Sequence, residues 1–229
     1  LKQKGRVWKM DTASGSNPER DETKKLLGED LRARTLEQLV ALLNHADMRV
    51  RQKAQFVLAE QRQVKTLQEV AVTSPHQLAR IHAIWGFGPL LRTNPAGNTV
   101  LINLLQDSDP EIRVQAAKVL GDAKMAAGIE QLIGLLVDKN PRVQLYAAQA
   151  LGRMSAKESI QPIIKMLEAN EDKDVYLRQA GAIALARIGD QKALGDLSTH
   201  SSEAVRIAAV VALKKLTSPL LAKFLTDKS

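Results

Sequence analysis

A short segment that recurs along the chain constrains its fold more than any other feature. Residues 109–121 and 140–152 both open with Asp or Asn followed by Pro, and both end in Leu-Gly. A side-chain oxygen at the first position can accept a hydrogen bond from a free backbone N–H, and Pro is well tolerated at the first helical position. The apolar residues that follow are three, four and eight positions apart, which places them on one helical face. The segment therefore predicts a capped amphipathic helix.

The same pattern occurs six times, at intervals of 28 to 34 residues. Each copy has a first apolar residue, here called the anchor, then a small residue four positions later and a large one eight positions later. The anchors are Val50, Ala79, Ile112, Val143, Leu177 and Val205. The small residues are Ala54, Ala83, Ala116, Ala147, Gly181 and Ala209, and the large ones are Leu58, Phe87, Leu120, Leu151, Leu185 and Leu213. This regularity predicts small residues where helices approach closely and large ones in the core.

A second apolar-periodic segment precedes each of these helices, near residues 36–43, 64–72, 99–105, 129–137, 160–167 and 192–197. Each repeat is therefore predicted to be a pair of antiparallel helices. A single hairpin cannot bury its apolar face alone, so neighbouring hairpins stack into a solenoid. We expect an all-α fold, a right-handed α-α superhelix of about six helical hairpins, closed by a short helix over residues 220–225.

The first part of the chain does not follow the repeat. Residues 4–11 alternate polar and apolar side chains, which predicts one short strand, and residues 12–18 have the composition of a linker. A short helix is expected near residues 22–27. Because a lone strand needs partners, we expect residues 1–34 to be the tail of a preceding domain and residues 35–229 to form the solenoid.

Composition agrees with helices and excludes several kinds of site. Hydrophobic residues make up 45% of the chain but aromatic residues only 3%, so the core must be aliphatic. There is no cysteine, which excludes disulfides, thiolate metal ligands and cysteine nucleophiles within these residues. No apolar run has the length of a membrane span. The formal net charge of +8 would attract anionic partners, although such a charge is also common on soluble surfaces.

The pattern D-P-x-[IV]-R-x-x-A-A-x-x-L-G resembles the HEAT repeats of phycobilin lyases, over roughly residues 35–217. This resemblance implies a HEAT/armadillo-like solenoid. It implies little about function, because such repeats have many unrelated roles.

A narrower resemblance rests on the segment A-R-I-H-A-I-W-G-F-G at residues 79–88, with G-R-V-W-K-M upstream at residues 5–10. These residues are similar to a family of large bacterial proteins described as membrane-bound dehydrogenases or haem-binding proteins. In that family a β-propeller precedes the HEAT repeats and a cytochrome c domain follows them. The resemblance implies a linking module outside the cytoplasm, periplasmic or extracellular; without it a cytoplasmic location is the default. The chain has no Cys-x-x-Cys-His, so it is expected to hold no cofactor itself.

An arginine directly follows the anchor in five of the six repeats, and Gln144 takes its place in the fourth. One interpretation is structural pairing with turn carboxylates such as Asp107 and Asp172, each six residues before an arginine. The other is a positive stripe that contacts an anionic partner. The candidate partner-binding residues are Arg51, Arg80, His82, Trp85, Arg113, Arg178 and Arg206.

His82 and Trp85 lie three residues apart and share a helical face. They are interpreted either as a packed pair with a hydrogen-bonded imidazole or as a contact for a neighbouring domain. Gly86, Gly88 and Pro89 are expected to disturb this helix. No metal site is expected from the scattered histidines. The acidic loop at Glu168, Glu171, Asp172 and Asp174 is expected to be solvated, with a weak cation site or a partner contact as the alternative.

No phosphate-binding glycine motif or nucleophile elbow is present, so we expect a non-catalytic module. The leading hypothesis is a protein-binding scaffold whose partners are flanking domains of the same polypeptide. One alternative is a HEAT-like DNA glycosylase or another nucleic-acid-binding solenoid, for which the few aromatic residues give little support. A tetrapyrrole lyase or chaperone is a third, by analogy of fold alone.

Overall fold

The computed structural model describes residues 17–91 and 98–225, and within them the fold is all-α, with no strand. Its α-helices are α1 (Pro18–Gly28), α2 (Leu36–Leu42), α3 (Met48–Glu60), α4 (Val64–Thr73), α5 (Gln77–Leu91), α6 (Asn98–Leu104), α7 (Pro110–Asp122), α8 (Ile129–Gly134), α9 (Pro141–Met154), α10 (Ile160–Asn170), α11 (Val175–Ile188), α12 (Gln191–Gly195) and α13 (Glu203–Lys215). The predicted strand over residues 4–11 lies outside the described residues.

The helices that carry the recurring pattern begin where their capping residues predict. Asp109 and Asn140 each accept a hydrogen bond from the backbone N–H two residues ahead, and Pro follows at the first helical position. Asp47 and Asp174 cap α3 and α11 in the same way, without the proline. Each cap satisfies one of the free N–H groups at a helix start.

The helices form six stacked hairpins, from α2–α3 to α12–α13, as the repeat predicts. The second helices of consecutive hairpins contact one another along the whole stack, in the order α3, α5, α7, α9, α11 and α13. The first helices of consecutive hairpins contact one another much less. A stack curves toward its more closely spaced row, so the second helices line the concave side. We call them the inner helices.

The core contains the residues that the pattern assigns to it. The anchors, the small residues and the large residues are buried at all six repeats. The chain also uses glycine for close approach: a Cβ added to Gly121 would lie 2.7 Å from the Cα of Ala150, and one added to Gly152 would lie 2.7 Å from the Cα of Ala184. These contacts join α7 to α9 and α9 to α11, so both glycines mark helix crossings where a side chain has no room.

The structure corrects the expectation for α5. This helix is continuous from Gln77 to Leu91 and includes Gly86, Gly88 and Pro89. The two glycines give room to neighbours instead of breaking the helix: Leu67 lies 3.2 Å from a Cβ built on Gly86, and Val119 lies 3.2 Å from one built on Gly88. Pro89 lies within the last turn, where the carbonyl of Trp85, four residues earlier, loses its usual N–H donor; the helix continues for only two more residues.

Both ends of the described chain pack onto the stack. Leu26 of α1 and Leu31 of the following 3-10 helix belong to the core, and α1 contacts α3. Lys53 donates to the backbone carbonyls of Leu26, Leu27 and Glu29, which ties α1 to the first hairpin. The domain boundary after residue 34 stays a prediction. At the other end Pro219–Phe224 forms a 3-10 helix that buries Phe224.

In the described ranges we find no helix that is both long and apolar enough to cross a membrane.

Candidate interaction surface

Four of the five arginines that follow the anchors bond to the turn inside their own hairpin, whereas Arg80 donates to the carbonyl of Ala71 in helix α4. In three repeats one guanidinium nitrogen donates to the carbonyls six and five residues earlier: Arg51 to His45 and Ala46, Arg113 to Asp107 and Ser108, and Arg206 to His200 and Ser201. Gln144 makes the equivalent bond to the carbonyl of Asp138 at 2.6 Å. The recurring side chain therefore fixes the turn between the two helices of a hairpin.

Two of these arginines also bridge to the next repeat. Arg80 pairs with the carboxylate of Asp107, and Arg113 pairs with that of Asp138 at 2.9 Å. The expected pairing of Asp107 with the arginine six residues later is thus wrong for its side chain, since Arg113 takes only its carbonyl. The reason is that stacking places Asp107 and Asp138 beside the arginine of the preceding repeat. Arg178 and Asp172 do pair within one repeat, at 2.6 Å, as predicted.

His82 is at the centre of a buried polar network between the first two repeats. Nε of Arg51 donates to Nε2 of His82 at 3.1 Å, and Nδ1 of His82 lies 2.8 Å from Oε1 of Gln55. Because Nε2 is the acceptor, Nδ1 carries the proton and donates to Gln55. Burial, together with the positive charge of Arg51, lowers the pKa of His82 to about 4. The imidazole is therefore neutral near pH 7.

Trp85 extends this network toward the third repeat. Its ring meets that of His82 edge-on, with centroids 5.0 Å apart, and its Nε1–H donates to Oε1 of Gln115 at 2.7 Å. The packed pair with a hydrogen-bonded imidazole is the interpretation that these contacts match. The candidate residues Arg51, Arg80, His82 and Arg113 are thus engaged within the stack, and their contact with a partner stays a prediction.

A largely different set of residues forms the open surface of the inner helices, and of this set sequence reasoning identified only Trp85. Positions one before, six after and ten after each anchor share a helical face that points away from the core. We call this surface the inner face. Its residues are Arg49, Phe56, Glu60, Leu78, Trp85, Pro89, Glu111, Lys118, Asp122, Arg142, Gln149, Arg153, Tyr176, Ile183, Arg187, Ala204, Val211 and Lys215. Except for Ala204, all of them are at least partly exposed.

Aromatic side chains are concentrated here. Phe87 and Phe224 are buried in the core, whereas Tyr176 is 73% exposed and Phe56 is 56% exposed. Trp85 is half-buried, as is Tyr146, which lies three residues after its anchor at the margin of the inner face. The core is mainly aliphatic, so most of these aromatic residues are not required to fill it. Their occurrence on the second helices of the hairpins is the sequence signal that could have identified the surface.

Polar contacts connect the aromatic residues across repeats. Gln115, which accepts from Trp85, donates to Glu111 at 2.6 Å. Glu111 in turn accepts from Arg142 of the next repeat at 3.1 Å. The Arg142 guanidinium lies over the ring of Tyr146 at 5.1 Å, and the Lys118 ammonium lies over Trp85 at 5.5 Å. A cation above an exposed aromatic ring is favourable by about 0.5–1 kcal/mol. These contacts therefore hold the side chains in place, and the rings stay partly exposed.

Charge is distributed unevenly along the inner face. Its acidic residues, Glu60, Glu111 and Asp122, are on α3 and α7. From α9 onward the charged residues of the face are all basic: Arg142, Arg153, Arg187 and Lys215. The face is therefore mixed in its first half and positive in its second.

The acidic loop borders a cavity of about 460 Å³ between the fifth and sixth repeats, lined by Glu168, Glu171, Asp172 and Glu203. His200 lies 3.2 Å from Glu168 there, and Arg178 and Lys173 pair with two of the other carboxylates. Across residues 17–91 and 98–225, no group of three or more histidine and carboxylate side chains has an arrangement suited to a metal ion.

Comparison with solved structures gives similarities of fold. An engineered protein from a structural genomics consortium is 23% identical over 82% of this chain and 98% of its own, with a TM-score of 0.51. The complex of CpcE and CpcF of phycocyanin lyase from Nostoc sp. PCC7120 is 19% identical over 96% of this chain and 97% of the other, also with a TM-score of 0.51. No curated protein sequence matches the chain.

The family comparison agrees with the geometry of the stack. The model for HEAT repeats matches residues 64–143, 98–175 and 129–201, three overlapping stretches that together cover more than half of the chain. These stretches include the hairpins from α4–α5 to α10–α11 and reach into the sixth. The chain belongs to the HEAT-repeat family.

Proposed function

We propose that this chain is a non-catalytic scaffold that binds protein partners on its inner face. The observation that carries the proposal is the exposure of Phe56 and Tyr176, together with the partial exposure of Trp85 and Tyr146, on the inner helices. Aromatic residues and arginine are enriched at the centres of protein interfaces, where they contribute most of the binding energy. Their location on the concave side favours a partner that the solenoid encloses.

The partners we propose are flanking domains of the same polypeptide: a β-propeller before the repeats and an electron-transfer domain after them. This part rests on the resemblance of residues 79–88 and 5–10 to the bacterial dehydrogenase-like family. A tethered partner has a high effective concentration and needs no tight interface, which suits a surface of scattered aromatic residues. A periplasmic or extracellular location is part of the same proposal.

The contacts of the R-I-H-A-I-W segment support a structural role for it. Arg80 bonds to Asp107, His82 to Arg51 and Gln55, and Trp85 to Gln115, so the segment connects the second repeat to the first and the third. The strongly lowered pKa of His82 follows from burial and Arg51, and no catalytic function is needed to explain it.

The alternative, binding of nucleic acid, is weakened by the acidic residues on the inner face. A phosphate backbone requires a continuous positive track, because its affinity comes mainly from the release of condensed counterions. Glu60, Glu111 and Asp122 interrupt that track over the first half of the stack.

Site-specific photo-cross-linking tests the proposal in the full-length protein that contains this chain. A photoreactive phenylalanine analogue replaces Phe56 on the inner helix α3. The matched control places the same analogue at Val72 of α4, a side chain that is 52% exposed and lies on the first helix of its hairpin. We expect cross-links from position 56 to peptides of the flanking domains and few from position 72. Cross-links to a separate protein would support the scaffold function but would exclude the flanking domains as its partners. Equal or absent cross-linking at the two positions would contradict the proposal.

A further inference from the structure

We infer that the segment of the partner that lies on α9, α11 and α13 is an extended acidic peptide carrying apolar or aromatic residues. This inference rests on the proposed function and specifies the chemistry of its partner. It depends on two properties of the second half of the inner face: its charged residues are all basic, and it carries the most exposed aromatic ring of the face.

The first property is charge. Arg142, Arg153, Arg187 and Lys215 occupy inner-face positions on α9, α11 and α13, and no acidic residue occupies one there. Two of these basic residues pair with carboxylates of α7: Arg142 with Glu111 at 3.1 Å, and Arg153 with Asp122 at 3.2 Å. Among the described residues, the ion pairs of this half therefore lie at its border with α7. A complementary partner supplies carboxylates further along the stack.

The second property is an exposed aromatic ring in the middle of these charges. Tyr176 occupies on α11 the position that Arg142 occupies on α9 and Glu111 on α7. Glu111 and Arg142 contact each other, so equivalent positions of consecutive inner helices are neighbours across the stack. Tyr176 therefore follows Arg142 in the same row and offers an apolar surface with a polar end. Such a ring contributes large contact area at low entropic cost when a partner's apolar residue packs on it.

The pair between Arg142 and Glu111 does not block this surface. The Arg142 side chain is 53% exposed, and exposed ion pairs contribute little to stability. A carboxylate of the partner can accept from the free side of the guanidinium or replace Glu111 at little cost. Arg142 also stays above the ring of Tyr146, which fixes the direction of its donors.

An extended segment fits the geometry of the repeats better than a globular surface. Consecutive inner helices lie side by side, so the basic positions recur once per repeat in a row that runs across the helices. A strand-like segment that crosses the helices meets at least one basic group on each of them, and on α11 and α13 it also meets an apolar position, Ile183 or Val211. No deep pocket is required.

The inference is tested by selecting peptides from a random twelve-residue library displayed on phage, with the whole chain as bait. We expect the selected peptides to be enriched in Asp and Glu and to contain at least one apolar or aromatic residue. Their affinity is then measured by fluorescence anisotropy for four variants. Tyr176→Ala and Arg187→Gln change the inner face. Val137→Ala, at the exposed end of the 3-10 helix that follows α8, and Lys65→Gln, on the exposed side of α4, are the matched controls.

We expect Tyr176→Ala to weaken binding at least tenfold and Arg187→Gln about threefold to fivefold, with the Arg187 effect disappearing at high salt because charge is screened there. Both controls should stay within twofold of the parent, and all four variants should have the parent's circular dichroism spectrum. Three results would overturn the inference: no selected peptide, selected peptides rich in Lys and Arg, or affinities that Tyr176→Ala does not change. Tighter binding of a twenty-nucleotide single-stranded DNA than of any peptide would overturn it as well. The cross-linking experiment at position 56 does not depend on these peptide measurements, so the proposed function can stand or fail independently of this inference.

Discussion

Arg51 donates its Nε–H to Nε2 of His82 across the boundary between the first and second repeats, over 3.1 Å, and both side chains are buried. This is an arrangement of one permanent cation and one neutral imidazole. A protonated His82 would have no lone pair to accept from Arg51 and would place two like charges in contact. The junction is therefore stable only while His82 is unprotonated.

This relationship predicts a pH-dependent stability between about pH 4 and pH 6.5. The pKa of His82 is lowered from 6.5 to about 4, so the unfolded chain binds more protons than the folded one in that range. The contribution is fully present above pH 6.5 and is lost as the pH falls toward 4, by about 3 kcal/mol in total. Urea unfolding from pH 7 to pH 4.5 measures it. His82→Gln should remove most of this slope, and an unchanged slope would mean that another group causes it.

Arg113, which follows the third anchor, is predicted to stabilise its hairpin through two separable contacts. Arg113→Ala loses both the bonds to the turn carbonyls and the pair with Asp138, in which both side chains are mostly buried, and should cost about 3 kcal/mol. Arg113→Gln should cost less, because Gln144 shows that an amide at this position reaches the turn carbonyl. Chemical denaturation of the two variants compares them. Equal losses would show that only the ion pair matters.

Replacing the glycines at the helix crossings should destabilise the stack. A Cβ on Gly121 or Gly152 would collide with the backbone of α9 or α11, and overpacking of this kind costs about 1–3 kcal/mol. Gly134 is the matched control, since nothing lies within 4 Å of a Cβ built there. Gly134→Ala should be neutral or stabilising by up to about 1 kcal/mol through helix propensity. Thermal melting that ranks the three variants otherwise would contradict these crossings.

The fold could be predicted from the sequence because the same pattern of residues recurs in all six repeats. Anchor, small residue and large residue fall at fixed offsets, and capping residues such as Asp109 and Asn140 fix where the helices begin. The exception is α5, where Gly86 and Gly88 suggested a disturbed helix. Their function depends on Leu67 and Val119, which are distant in sequence, so local propensity alone gives no indication of it.

The candidate site was less predictable, because the most regular residues are the structural ones. The arginines after the anchors recur for the same reason that the turns recur, and stacking determines that Arg80 reaches Asp107 of the next repeat. The inner face has no recurring residue type. It becomes visible only when Phe56, Trp85 and Tyr176 are placed within the repeat pattern and their exposure is known.

The central proposal is that the inner helices contact flanking domains of the same polypeptide, and hydroxyl-radical footprinting tests it most directly. Oxidation of Phe56 and Tyr176 is measured by mass spectrometry in the isolated chain and in the full-length protein, with Val72 and Val137 as exposed references away from the inner face. We expect the oxidation rates of Phe56 and Tyr176 to fall severalfold in the full-length protein while those of Val72 and Val137 stay the same. Unchanged rates at both aromatic residues, or protection of Val72 and Val137 instead, would contradict the account.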